Sequence, residues 1–231
     1  MNNALPLWRN KQPYFSGLLL LLVSGSFLLI LMGKSAAFIS LNSYHPLWLN
    51  VFFVNYTFMG DGIFAIALII VYVLYLKKKK EALALLYAFL LSGLAVQIIK
   101  NIVNAPRPKL FFEQGQYLFF LDGVSLSNNS SFPSGHTATA FAIATVMILF
   151  LKTKNWQIPI LLVTSLVGYS RIYLAQHFLM DVLIGACIGT LSGVLAFYLV
   201  KNFKGIKMAF KKMHRIESKM GGPTAGTMQP V

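Results

Sequence analysis

Three short stretches of this chain hold residues that could handle a phosphate. "KNIVNAPRP" carries Lys100 and Arg107, "FPSGHT" carries Ser134, Gly135 and His136, and "SRIYLAQHFLMD" carries Arg171, His177 and Asp181. Guanidinium forks match phosphate oxygens and a lysine adds a point charge, so three such cations suit a multiply charged anion. Pro133 suits the first turn of a helix, Gly135 permits close backbone approach, and the amides of residues 134–136 could cradle oxygens. The Ser134 hydroxyl would be a further donor. His177 and Asp181 stand four residues apart, which on a helix brings them to one face. The carboxylate could then hold one imidazole nitrogen as N–H and leave the other free to attack. His136 is available to protonate a departing oxygen as general acid.

The elements that must deliver these groups are membrane helices. Of 231 residues 57% are hydrophobic and only 11% charged, with a mean hydropathy of +0.67, against roughly 25% charged in ordinary soluble domains. Six blocks lack Asp, Glu, Lys and Arg: Tyr14 to Met32, Ile63 to Leu76, Ala82 to Ile99, Thr137 to Leu151, Asn155 to Ser170 and Val182 to Val200. A spanning helix needs about 20 apolar residues, so the expected fold is all-α, an integral membrane bundle of six transmembrane helices. Ile63 to Leu76 is the shortest block, extended by Lys77 to Lys80 reaching the headgroups. Tyr14 to Met32 is long for a signal peptide and is expected to be a retained helix.

The net charge of +14 alternates along the chain. Arg9 and Lys11, Lys77 to Lys80, Lys152 and Lys154, and seven tail residues from Lys201 to Lys219 make fifteen of the twenty basic residues on one side. Lys34, Lys100, Arg107, Lys109 and Arg171 fall on the other. The positive-inside rule puts both termini in the cytoplasm, and the basicity is topology and headgroup attraction rather than nucleic-acid binding. Residues 1–200 are expected to form the membrane domain. Residues 201–231 form a basic tail, amphipathic through Phe203, Ile206, Phe210 and Met213 and disordered at its end. With this topology all three phosphate-handling stretches arrive at the outer surface. Charge inside a spanning helix costs on the order of 2.5–3.5 kcal/mol per residue, so such residues have a task or a partner.

In order and spacing, the three stretches resemble the signature of the type 2 phosphatidic acid phosphatase (PAP2) superfamily, which also includes soluble haloperoxidases. The resemblance implies that Lys100, Arg107, Arg171, Ser134 and the Gly135 amide bind the phosphoryl group. It further implies that His177 attacks phosphorus to form a phosphohistidine, that Asp181 orients it, and that His136 protonates the leaving group and then activates water. No metal or other cofactor is implied. The expected activity is hydrolysis of a lipid phosphomonoester or pyrophosphate on the periplasmic side of a bacterial inner membrane. Undecaprenyl pyrophosphate, phosphatidylglycerol phosphate, phosphatidic acid and lipid A all remain open as substrates. The alternatives are a phosphotransferase using the same site, a small anion transporter and vanadate-dependent oxidation. The oligomeric state is left open.

Other residues have plainer expectations. Asp61, in "GDG", reads as a helix cap or turn residue, and Cys187 as a small packing residue. His45 and His214 read as surface residues, and Phe111, Phe112, Tyr117, Phe119 and Phe120 as lipid contacts or loop anchors.

Overall fold

A computed structural model of the chain describes residues 10–112, 121 and 129–220, with side chains as far as residue 202. Among the described residues eight α-helices follow in order: α1 Gln12–Leu41, α2 Leu47–Tyr56, α3 Gly62–Ile70, α4 Lys79–Val103, the short α5 Pro108–Phe111, α6 Gly135–Phe150, α7 Gln157–Tyr173 and α8 Leu179–Met220. A 3-10 turn, Thr57–Gly60, joins α2 to α3, and a π turn, Val71–Tyr75, prolongs α3. No strand occurs among the described residues.

The described residues include three helices long and apolar enough to cross a membrane: Gln12–Leu41, Lys79–Phe111 and Leu179–Asn202. The block expected at Ile63 to Leu76 is only the second arm of a pair, Leu47–Gly60 and Gly62–Tyr75, bent by 59°. If this pair is one span, it is the fourth. The bend follows from local chemistry, because Asp61 has an extended backbone and its carboxylate accepts from the Ile63 amide, so it caps a new helix rather than continuing the old one. Helices α6 and α7, at 16 and 17 residues, are shorter than the usual span of about 20. Helix α8 runs on into the basic tail as far as Met220. The disorder expected at 221–231 and the loop aromatics Tyr117, Phe119 and Phe120 lie outside the described residues, as does the His214 side chain.

Helix α6 is the centre of the bundle. All its residues from Thr137 to Val146 are buried, as are Ile148 and Leu149, and its run of Ala and Thr lets neighbours approach closely. Helix α8 packs along it through Gly185, Gly189 and Gly193, spaced four apart on one face. A Cβ at these positions would stand 2.7 Å from the Ser134 carbonyl oxygen, 2.2 Å from that of Ala138 and 2.7 Å from that of Ala142. Cys187, half-buried on α8, contributes to none of these three contacts.

The two ends of the bundle are tied differently. At one end Lys11 is buried and donates through Nζ to the Leu151 carbonyl just past α6. Gln157 at the start of α7 donates to the Asn10 carbonyl at 2.7 Å and accepts from the Tyr14 amide at 3.3 Å. Lys11 is thus a C-terminal cap for α6 in addition to a topological charge. At the other end, Asn42 after α1 donates to the Ile172 and Tyr173 carbonyls, both at 2.7 Å, at the finish of α7. His45 is half-buried there, with Nε2 2.7 Å from the Asn42 carbonyl oxygen and its ring 4.3 Å from that of Tyr173. The expectation of a surface histidine is corrected, because the turn after α1 folds back onto α7.

Candidate active site

The end of the bundle that holds Asn42 also gathers the starts of α6 and α8 and the finishes of α4 and α7. All three phosphate-handling stretches meet there.

The connection from α7 to α8 turns tightly. The Gln176 and His177 amides both donate to the Arg171 carbonyl, at 2.9 and 3.1 Å. His177 is therefore not on α8, which begins at Leu179, and the expected helical face is replaced by a cap. Asp181 lies in the first turn of α8. Its Oδ2 accepts from the Phe178 amide at 2.9 Å, from the Ser131 hydroxyl at 2.5 Å and, over a long 3.4 Å, from His177 Nδ1. A carboxylate reaching back to the amide before its helix satisfies a donor the helix leaves open and sits well in the helix dipole. The contact assigns the hydrogen of His177 to Nδ1 and leaves Nε2 unprotonated. Burial lowers His177 to about 4, although the Asp181 hydrogen bond and charge pull the other way. Near neutral pH the ring is uncharged.

The "FPSGHT" stretch is locked to the same turn, for the Ser134 amide donates to the Asp181 carbonyl at 3.0 Å. Ser134 is fully buried and caps α6, its Oγ accepting from the Thr137 amide and, at 2.8 Å, from the Thr137 hydroxyl. Its own O–H proton stays available to a ligand. A Cβ at Gly135 would make only ordinary contact with Val96, at 3.7 Å, so the protein itself does not demand glycine there. His136, half-buried, sits within the field of Arg171, His177, Lys100 and Arg107.

The cations arrive from three elements. Lys100 is in the last turn of α4, which a left-handed Asn104 then ends. Arg107 precedes α5 and donates to the Gln176 side-chain oxygen at 2.5 Å and the Asn129 carbonyl at 3.1 Å. Arg171 is buried, donates to the Thr57 hydroxyl at 2.6 Å and leaves Nε without a hydrogen-bond partner among the described residues. A buried guanidinium N–H without an acceptor is costly, so it marks where an acceptor belongs.

Four contributors were not foreseen. Ser131 anchors Asp181, and Gln176 orients Arg107. Thr57 holds Arg171, and Asp61 places Oδ2 3.7 Å from His136 Nε2. Gln176 lies inside a quoted stretch and Ser131 immediately before one, where type and spacing gave them no separate signal. Phe112 is buried against Phe38 and Phe178, with ring centroids 5.5 and 6.2 Å away, so it anchors the loop. Lys34 lies 4.0 Å from the Phe178 centroid and 4.6 Å from that of Phe111. A groove of about 640 Å³ runs between α1, α7 and α8, lined by residues including Leu21, Leu28, Leu41, Ile172 and Leu183.

The family model of the PAP2 superfamily matches residues 81–204, which include nearly all of α4, the whole of α6 and α7, and all three stretches. The chain belongs to the PAP2 superfamily. "Probable diacylglycerol pyrophosphate phosphatase 1" of Schizosaccharomyces pombe is 31% identical over 48% of this chain, and the aligned part spans half of that protein's length. "Phosphatidylglycerophosphatase B" of Bacillus subtilis is 29% identical over 68% of this chain and 75% of its own length. The crystal structure of Aquifex aeolicus LpxE superposes with a TM-score of 0.59 at 32% identity, covering 71% of this chain and 94% of that one. Among the described residues the chain is all-helical with several apolar helices, and the crystal structure of the first transmembrane PAP2 type phosphatidylglycerolphosphate phosphatase from Bacillus subtilis superposes with a TM-score of 0.58 at 26% identity, covering 82% of this chain and 95% of that one.

Proposed function

We propose that this PAP2 protein is a lipid phosphatase working through a phosphohistidine. The reading is carried by one observation: a buried His177, with Nδ1 3.4 Å from Asp181, lies beside the elements that bear Lys100, Arg107 and Arg171. A phosphoryl group would accept from Arg171 Nε, from Arg107, from Lys100, from the Ser134 hydroxyl and from the Gly135 amide at the start of α6. Only a residue with its backbone amide bare lets an oxygen approach that closely, which is the demand on Gly135.

His177 Nε2 forms a bond to phosphorus while the bond to the leaving oxygen breaks, and His136 gives that oxygen a proton. Asp181 stays ionised and stabilises the charge that develops on the His177 ring. In the second half-reaction His136 takes a proton from water, the new P–O bond forms and the P–Nε2 bond breaks. The three cations meet the charge of the transferring group, so the mechanism draws on no metal.

Six spans with both termini cytoplasmic, residues 1–200 as the membrane domain and residues 201–231 as a basic inner-leaflet tail complete the proposal. The site then faces the periplasm of a bacterial inner membrane. The alternation of basic residues supports this sidedness, and the apolar groove beside Ile172 supports a substrate with acyl or prenyl chains. The relatives' names include a pyrophosphate and a phosphomonoester lipid. The substrate class is accordingly a phosphomonoester or pyrophosphate at a lipid headgroup.

The test is phosphate release by purified protein in detergent from phosphatidic acid, phosphatidylglycerol phosphate and undecaprenyl pyrophosphate. Activity should persist in EDTA and disappear in His177→Ala. Dependence on a divalent cation, or survival without His177, refutes the mechanism.

A further inference from the structure

The turn that breaks the second apolar segment, "TFMGD", lies outside all three phosphate-handling stretches and outside the region matched by the family, yet it touches two of their residues. Thr57 accepts from Arg171 at 2.6 Å. Gly60 packs so closely on the first turn of α6 that a Cβ there would stand 2.9 Å from both the Cβ and the carbonyl oxygen of His136. Asp61 divides its carboxylate between two tasks. Oδ1 accepts from the Ile63 amide at 2.8 Å, capping α3, and Oδ2 faces His136 Nε2 at 3.7 Å.

We infer that Asp61 is a positioning residue for the proton transfers of His136, forming with it a second His–Asp pair opposite the His177–Asp181 pair. The inference rests on the proposed function, in which His136 is the acid. His136 is faced by Arg171 from α7, His177 from the α7–α8 connection, Lys100 from α4 and Arg107 from the α4–α5 connection. Burial first, and then the charges of Arg171, Lys100 and Arg107, with His177 only when it is itself protonated, oppose a positive charge on the His136 ring. Asp61, from the cap of α3, is the carboxylate within ion-pair range of it, and an opposite charge within about 4–6 Å favours the protonated imidazole. At 3.7 Å the two groups act through their charges, and such pairs tighten once substrate is bound. Holding Nε2 toward Asp61 leaves Nδ1 as the nitrogen that hands its proton to the leaving oxygen. The P–O bond electrons go to that oxygen.

Asp61→Asn and Asp61→Ser separate the two tasks, because each keeps an oxygen to cap the Ile63 amide and removes the charge. The probes are phosphatidic acid, whose alkoxide needs a proton to depart, and p-nitrophenyl phosphate, whose phenolate does not. With phosphatidic acid at pH 8, kcat/KM should fall about 10-fold, a fraction of the 100-fold or more that general acid catalysis supplies. The alkaline limb of kcat/KM should move about one pH unit lower. With p-nitrophenyl phosphate the loss should stay under about 3-fold, and in a His136→Ala background neither substitution should cost anything further. Equal losses on both probes with an unmoved limb, no loss at all, or a full additional loss in the His136→Ala background overturns the inference. If His177→Ala keeps the activity, the proposed function itself fails. If His177→Ala is inactive while Asp61→Asn and Asp61→Ser behave as the parent, only the role of Asp61 does.

Discussion

Gly185→Ala adds one methyl group at the seam between α8 and α6, where the Ser134 carbonyl oxygen stands 2.7 Å from the new carbon and Thr137 Cβ stands 3.2 Å from it. Ordinary contact begins at 3.4 Å, so that oxygen must retreat by about 0.7 Å. Neither neighbour is the free end of a flexible side chain. One is backbone, and the other is the branch point of a buried threonine that is itself bonded to Ser134. The retreat pulls on the 3.0 Å bond from the Ser134 amide to the Asp181 carbonyl, which ties the turn before α6 to the residue that backs His177, the proposed nucleophile. A misplacement of about 1 Å costs on the order of 100-fold in rate, so 0.7 Å scales to roughly 10- to 30-fold in kcat/KM. Overpacking adds a stability cost of about 1–3 kcal/mol. Phosphate release from phosphatidic acid in detergent micelles and thermal unfolding of the same samples measure both. Gly93→Ala is the control, since no atom lies within 4 Å of its Cβ and alanine is favoured in a helix by about 1 kcal/mol. If Gly185→Ala matches the parent in both rate and melting temperature, the helix seam does not hold the site together and the reasoning fails.

Two further outcomes follow from the geometry. Arg171→Lys keeps the charge but loses the fork that serves Thr57 and presents Nε, so inhibition by inorganic phosphate or orthovanadate should weaken at least 10-fold. Unchanged inhibition would remove Arg171 from the phosphate site. Burial lowers His177 to about 4, so on acidification an unfolded chain takes up a proton, near the ordinary value of about 6.5, that the folded one refuses. Stability present at pH 7 is therefore lost as pH falls through about 6.5 toward 4. The melting temperature in detergent should drop more steeply over this window for the parent than for His177→Gln, and parallel curves contradict the buried neutral ring.

The residues of the candidate site were legible before the fold because their types and spacing are written locally. Lys100, Arg107, His136, Arg171, His177 and Asp181 are rare residue types in an apolar chain, where each carries a desolvation cost without a task, and their spacing is a property of sequence alone. The helical character of the segments was legible for the same reason, since runs free of charge have few other solutions in a bilayer. The second apolar segment was not, because its break depends on Asp61 capping a new helix, and a lone Asp in "GDG" looks the same whether or not a histidine lies opposite.

The sequence by itself determined which groups are present and that they stand on or beside apolar helices. Only the tertiary structure decided how they are held. His177 is placed by a turn onto the Arg171 carbonyl rather than by a helical face, and Asp181 by Ser131 and the Phe178 amide. His136 faces Asp61 from an unrelated element. The turn onto Arg171 and the Phe178 contact are local, whereas Ser131 meets Asp181, and His136 faces Asp61, only because separate elements pack to within about 3–4 Å of one another. Such close approach depends on shape complementarity between whole helices, so it leaves no signal in the spacing of any one of them.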